Sequence, residues 1–177
     1  GIHPENVENY DELDIEFIKN NLNQKKVVAI GEIGLDYHYS KDNKEAQIKL
    51  FESQLKIAED YHLPVVIHSR EATEDTIKSL KKYKVTGVIH SFSGSLETAR
   101  IYENMGFIFG INGVITFKNA NLKEIYKNID ISHIILETDS PYLSPEPVRG
   151  TKNNPSNINY IAKFVANLYQ IYESQLS

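Results

Sequence analysis

The stretch from Val27 to Asp36, VVAIGEIGLD, decides the fold. Val27, Val28, Ala29 and Ile30 form a continuous apolar run of the kind that suits a strand covered on both faces, as in a parallel sheet. Gly31 follows, and then Glu32, at the point where a strand over 27–32 is expected to stop. Packing has no use for a carboxylate there, whereas in α/β barrels the residues that do chemistry sit at the C-terminal ends of the strands. The arrangement recurs: Val65 to Ile67 ends in His68, Gly87 to Ile89 ends in His90, and Ile134 to Leu136 leads into Glu137, Thr138 and Asp139.

The rest of the chain alternates accordingly. Residues 5–26 carry Ile15, Phe17, Ile18 and Leu22 among charges and read as an amphipathic helix. Residues 44–62 place Phe51, Leu55, Ala58 and Tyr61 at helical spacing, and Leu63-Pro64 breaks that helix before a strand at 65–68. A shorter helix over 72–83 leads to a strand at 86–91. Ser95 is a candidate N-cap for a helix carrying Leu96, Ala99, Tyr102 and Met105, which Gly106 ends. Strands are expected at 107–111 and 133–138, with a short helix over 121–128 between them. A loop rich in Pro and Asn, 143–156, precedes a last helix whose apolar face runs from Ile158 to Tyr172. Five strands alternating with helices imply an α/β fold of parallel strands joined by right-handed crossovers.

At 177 residues the chain reads as one domain over 1–177. It is short for a closed eight-stranded α/β barrel, which takes about 250 residues. The reading is therefore an incomplete (β/α)8 barrel of five full strands plus a strand end at Gly1 to Pro4 (GIHP), with an upstream portion expected before it. Open edges of such a sheet invite self-association. The absence of cysteine excludes disulfides, thiolate metal sites and cysteine nucleophiles. No stretch approaches the roughly 18–20 apolar residues of a membrane span, so a cytoplasmic protein without membrane contact is expected. The net charge of −5 argues against holding nucleic acid on a broad basic surface, though not against a nuclease whose metal ions meet the phosphate.

Residues at equal height on neighbouring parallel strands, about 4.8 Å apart, converge. Glu32, His68, His90 and Asp139 thus form a candidate metal site, a set of hard oxygens and imidazoles suited to Zn, Mn, Mg or Fe. His62 and His133 precede their strands and are expected at the opposite face in structural or solvated roles. His3 and Arg70 are candidates for binding an anion above the metals; the competing reading of Arg70 is a salt bridge with Glu71. Arg149 and Asn153, in the long polar loop, either face substrate or hold the loop together. Gly31 and Gly34 do not make a dinucleotide turn, and HSFSG lacks the frame of a hydrolase elbow.

Six segments resemble one family: GIHP at 1–4, AIGEIGLDY at 29–37, LPVVIHSREA at 63–72, GVIHSFSG at 87–94, ETDSPYLSP at 137–145 and RGTKNNP at 149–155. In that order they look like the TatD-type metal-dependent deoxyribonucleases. The resemblance implies an amidohydrolase-type α/β barrel that hydrolyses DNA with divalent metals. Glu32 then resembles a carboxylate shared by two metals, His68 and His90 the other ligands of one, and Asp139 a ligand of the second. The family's opening H-x-H strand has no counterpart in this chain.

The implied reaction is metal-assisted hydrolysis of a phosphodiester without a covalent nucleophile. Asp139 is the candidate for orienting the water or accepting its proton, with Glu32 holding the metals. Two alternatives stand beside it: a hydrolase of the same fold acting on a small ester, amide or phosphotriester, and an impaired barrel fragment that binds metal or a partner without turnover.

Overall fold

The computed structural model describes residues 1–39 and 41–176. The apolar runs form five strands, β1 (Ile30–Asp36), β2 (Val65–Arg70), β3 (Gly87–Ile89), β4 (Phe107–Ile111) and β5 (Ile134–Leu136). The helices are α1 (Glu12–Asn21), α2 (Lys44–Asp60), α3 (Thr73–Leu80), α4 (Leu96–Asn104), α5 (Leu122–Tyr126) and α6 (Ile158–Tyr169). From β1 onward strand and helix alternate, and the pairings of β1 with β2, β2 with β3 and β4 with β5 are all parallel. Among the described residues no helix is long and apolar enough to cross a membrane.

The chain divides into two compact units, one of residues 1–90 with 105–107, the other of residues 91–104 with the chain from Ile108 on. In the first, Ile30, Ile33 and Leu35 of β1 and Val65 and Ile67 of β2 are buried. Helix α2 covers β1 with Leu50, Phe51, Leu55 and Ala58, spaced three and four apart on one face. Each of the larger side chains contributes about 1.5–3 kcal/mol by leaving water. Gln47 and Gln54 lie on the same stripe and are as buried as their apolar neighbours.

Strand β1 departs from the expected 27–32. Val28 is 73% exposed and Val27 donates to Gln24 in a turn, so the strand starts only at Ile30. It then runs past Glu32, because β2 supplies partners as far as Arg70 opposite Asp36. Ile30 pairs with Val65 and Ile33 with Ile67, so three steps on β1 match two on β2. A bulge of this kind re-aims the side chains within it, and Glu32 is one of them.

The helix read over 5–26 is a single 3-10 turn at Pro4–Asn6 and then α1. Asp11 sets the start of α1, its Oδ1 accepting from Leu13 and Asp14 N–H while Asp14 Oδ2 accepts from Asp11 N–H. In the second unit Phe92 packs against Phe109, with ring centroids 4.6 Å apart. The buried Tyr126 donates its hydroxyl to Phe92 C=O at 2.8 Å. Helix α6 buries Ile161, Val165 and Ala166 and stops short of Tyr172, because Gln170 takes a left-handed conformation at φ 56°.

Candidate metal centre

The first unit brings three of the sequence-selected side chains around a fourth, the carboxylate of Glu32. Glu32 Oε1 lies 2.8 Å from His68 Nδ1, 3.7 Å from His90 Nε2 and 3.9 Å from His3 Nε2. The rings of His3 and His68 meet edge to face at 4.6 Å between centroids. His3, Glu32 and His68 each offer one ligand atom, and these atoms lie within 4.8 Å of one another. His3, read from sequence as an anion contact, thus stands among the atoms able to hold a cation.

Supporting residues fix this arrangement, and sequence reasoning missed them. The buried Asp36, at the end of β1, places Oδ2 2.8 Å from His68 Nε2, and its Oδ1 accepts from His38 N–H at 2.9 Å. Gln47 grips the backbone of Asp36 from both sides, accepting from its N–H and donating to its C=O, each at 2.8 Å. Seven residues along α2, Gln54 does the same for Ile2, accepting from N–H at 2.7 Å and donating to C=O at 3.0 Å. One face of one helix therefore ties down both the segment that carries His3 and the carboxylate that holds His68.

The charges within the cluster reinforce one another. Burial by itself would raise the Glu32 pKa, but the hydrogen bond from His68 and the charges of the surrounding histidines bring it below 4.5. In His68 burial pulls downward, and the hydrogen bonds to Glu32 and Asp36 outweigh it, leaving the ring above 6.5. His3 moves the other way, lowered by burial and by the neighbouring His68. A carboxylate that stays ionised among imidazoles is the donor set divalent metals of the Zn and Mn type take. A supporting carboxylate on the far nitrogen of a ligating histidine is the usual second layer of such sites.

Arg70, two residues after His68, is exposed, and its guanidinium lies 5.3 Å from the centre of the Tyr39 ring. Glu71 pairs with His38 instead, at 2.6 Å. His62 is exposed in the turn after α2, and His133 in the second unit bonds Glu103 at 2.9 Å.

The remaining sequence candidates belong to the second unit. Asp139 takes a left-handed conformation, φ 55°, and its carbonyl accepts from Tyr142 N–H. Glu137 is turned to a structural bond, Oε1 accepting from Ser91 N–H at 2.6 Å. It lies so close over β4 that a Cβ on Gly110 would come within 2.4 Å of its Oε2. Asn153 is buried and holds the loop together: Nδ2 donates to Thr138 C=O at 2.7 Å and Oδ1 accepts from Asn157 Nδ2 at 2.8 Å. Arg149 is exposed, stacked 4.0 Å over the ring of Phe117.

Known proteins share this chain's sequence along its whole length. The pattern of the TatD related DNase family matches residues 1–177. The uncharacterized metal-dependent hydrolase YabD of Bacillus subtilis is 42% identical over 97% of this chain and 69% of its own. The structure of YjjV, a TatD homolog from Escherichia coli, superposes with a TM-score of 0.90 at 30% identity, covering 99% of this chain and 70% of that one. A TatD family hydrolase from Entamoeba histolytica superposes with a TM-score of 0.84 at 26% identity, covering 99% and 69%. The fold is accordingly of the TatD barrel type, with five parallel strands alternating with helices among the described residues. With a carboxylate and imidazoles gathered in the first unit in a set that suits a metal, the chain belongs to the TatD related DNase family and is a metal-dependent hydrolase.

Proposed function

We propose that the chain hydrolyses phosphodiester bonds of DNA with a divalent cation held at Glu32. The observation that carries this reading is the convergence of His68, His90 and His3 nitrogens on Glu32 Oε1, at 2.8, 3.7 and 3.9 Å. The family description supports the choice of substrate. A cation bound there supplies a Lewis acid for a phosphate oxygen and a lowered pKa for water. The chain's residues supply the rest. Glu32 and the imidazoles bind, and Asp36 fixes the ring of His68. Arg70, fixed in charge and exposed, neutralises a phosphate. We assign Asp139, by its place in ETDSP, the orienting of the attacking water and the acceptance of its proton at the carboxylate.

The test is turnover of a single-stranded oligodeoxynucleotide by the purified chain with Mg, Mn or Zn, set beside a small carboxylic ester, an amide and a phosphotriester. The expected result is cleavage of the oligonucleotide that Glu32→Gln abolishes. Turnover confined to the small substrates would overturn the DNA assignment while leaving a metal-dependent hydrolase.

A further inference from the structure

Tyr39 is 74% exposed, so its ring contributes little to the core, yet it is held from two directions. The guanidinium of Arg70 stands over one face, 5.3 Å from the ring centre. The ring of His38 meets it edge-on at 4.8 Å. Both supports are themselves anchored. Arg70 is the last residue of β2, and its carbonyl accepts from Tyr37 N–H at 3.0 Å. His38 donates its N–H to Asp36 at 2.9 Å, and its Nδ1 pairs with Glu71 at 2.6 Å. Holding a large aromatic ring in place in water has no folding rationale; presenting it to a flat partner does.

The partner's chemistry follows from the position. Arg70 is two residues beyond His68 on β2, so both side chains leave the same face of the strand, roughly 7 Å apart along it. The platform therefore stands one step along β2 from the metal centre, with a cation over one of its faces. An aromatic face backed by arginine is how proteins take up the bases of single-stranded nucleic acid, where stacking is tolerant of sequence and the cation meets the backbone.

We propose that Tyr39, backed by Arg70 and steadied by His38, is the stacking site for a nucleobase of single-stranded DNA adjacent to the phosphodiester at the Glu32 centre. The inference rests on the DNA reading above and adds to it a place for the base. Asp36 links the two sites, since one carboxylate oxygen serves His68 and the other His38.

The test is fluorescence anisotropy of a short labelled single-stranded oligodeoxynucleotide in EDTA, where binding is read without turnover. Tyr39→Ala is expected to weaken binding about tenfold, with Tyr39→Phe within about twofold of the unaltered chain, as stacking on a ring requires. The loss should shrink when the oligonucleotide carries abasic sites. Undiminished binding by Tyr39→Ala, or an equal loss on the abasic strand, would overturn the proposal. An oligonucleotide that the unaltered chain cleaves with metal while Tyr39→Ala binds it fully removes the stacking site alone. One that it neither binds nor cleaves removes the DNA reading and the stacking site together.

Discussion

Asp36 holds the far nitrogen of His68: its Oδ2 lies 2.8 Å from Nε2, while the near nitrogen faces Glu32. A carboxylate in that position fixes both the plane of the ring and the nitrogen that carries the proton. Asp36→Asn keeps the size of the side chain and removes the charge. It is expected to weaken binding of Zn or Mn by roughly 10- to 100-fold, the usual loss when such a supporting carboxylate goes. Titration calorimetry on the metal-free chain measures it, and unchanged affinity would remove Asp36 from the site.

Why Asp36 escaped the sequence reading is a matter of where β1 ends. Apolar residues from Val27 to Ile30 suggest a strand that stops at Glu32, and an acid four positions further on then falls in a loop. The bulge between Ile30 and Ile33 lets the strand continue to Asp36, and no composition rule signals a bulge except the nearby glycines. The histidines were legible because each closes an apolar run. The two buried glutamines were not, since a glutamine on the stripe of Phe51, Leu55 and Ala58 looks the same whether its amide meets water or backbone. The strand and helix order was legible throughout, because period and breakers carry it.

Gln47→Leu tests the clamp directly. The substitution fits the apolar stripe but strips Asp36 of partners for its buried N–H and C=O. Leaving such groups unsatisfied costs about 1–3 kcal/mol each, so urea unfolding should show a loss of roughly 2–6 kcal/mol. Gln54→Leu should cost a similar amount through Ile2 and also weaken metal binding by loosening His3.

The metal-free chain should show a pH signature of the His68–Glu32 pair. Glu32 is lowered from 4.5, so its contribution is present above pH 4.5 and is lost as pH falls through its folded value. His68 is raised from 6.5, so its contribution is present below pH 6.5 and is lost as pH rises through its folded value. The pair therefore stabilises most between pH 4.5 and 6.5. Metal competes with the His68 proton, so metal affinity should climb as pH rises through a value above 6.5. Thermal melts and metal titrations across pH 4 to 9, flat in both measures, would contradict this coupling.

Gly34 faces His68 across the β1–β2 ladder at φ 148°, and a Cβ there would sit 1.9 Å from the His68 carbonyl oxygen. Backbone, not a flexible side chain, is in the way. Gly34→Ala must therefore push the two strands apart at the metal centre, and a loss above about 3 kcal/mol is expected, within the range of overpacking combined with backbone strain. Soluble protein with an unaltered melting temperature would show that the strands yield more easily than this spacing implies.

The metal ligands themselves should rank by their place around Glu32. Its Oε1 is the atom that faces all three histidines, so losing its charge removes the anion at their common centre. Glu32→Gln retains the shape and hydrogen-bonding capacity of the side chain but leaves three imidazoles with no charge between them. Metal affinity should fall by more than the roughly hundredfold upper end seen for supporting residues. His68→Asn should come next, since His68 lies nearest to Glu32 and is half-buried against Asp36. His3→Asn and His90→Asn should each cost less, because both nitrogens stand more than 3.5 Å from Oε1. The comparison between these last two identifies the third ligand. A larger loss in His3→Asn follows from its grouping with Glu32 and His68 within 4.8 Å, whereas a larger loss in His90→Asn would favour the ligand set that the family resemblance implies. Equal, full-strength binding in Glu32→Gln would show that the metal sits elsewhere.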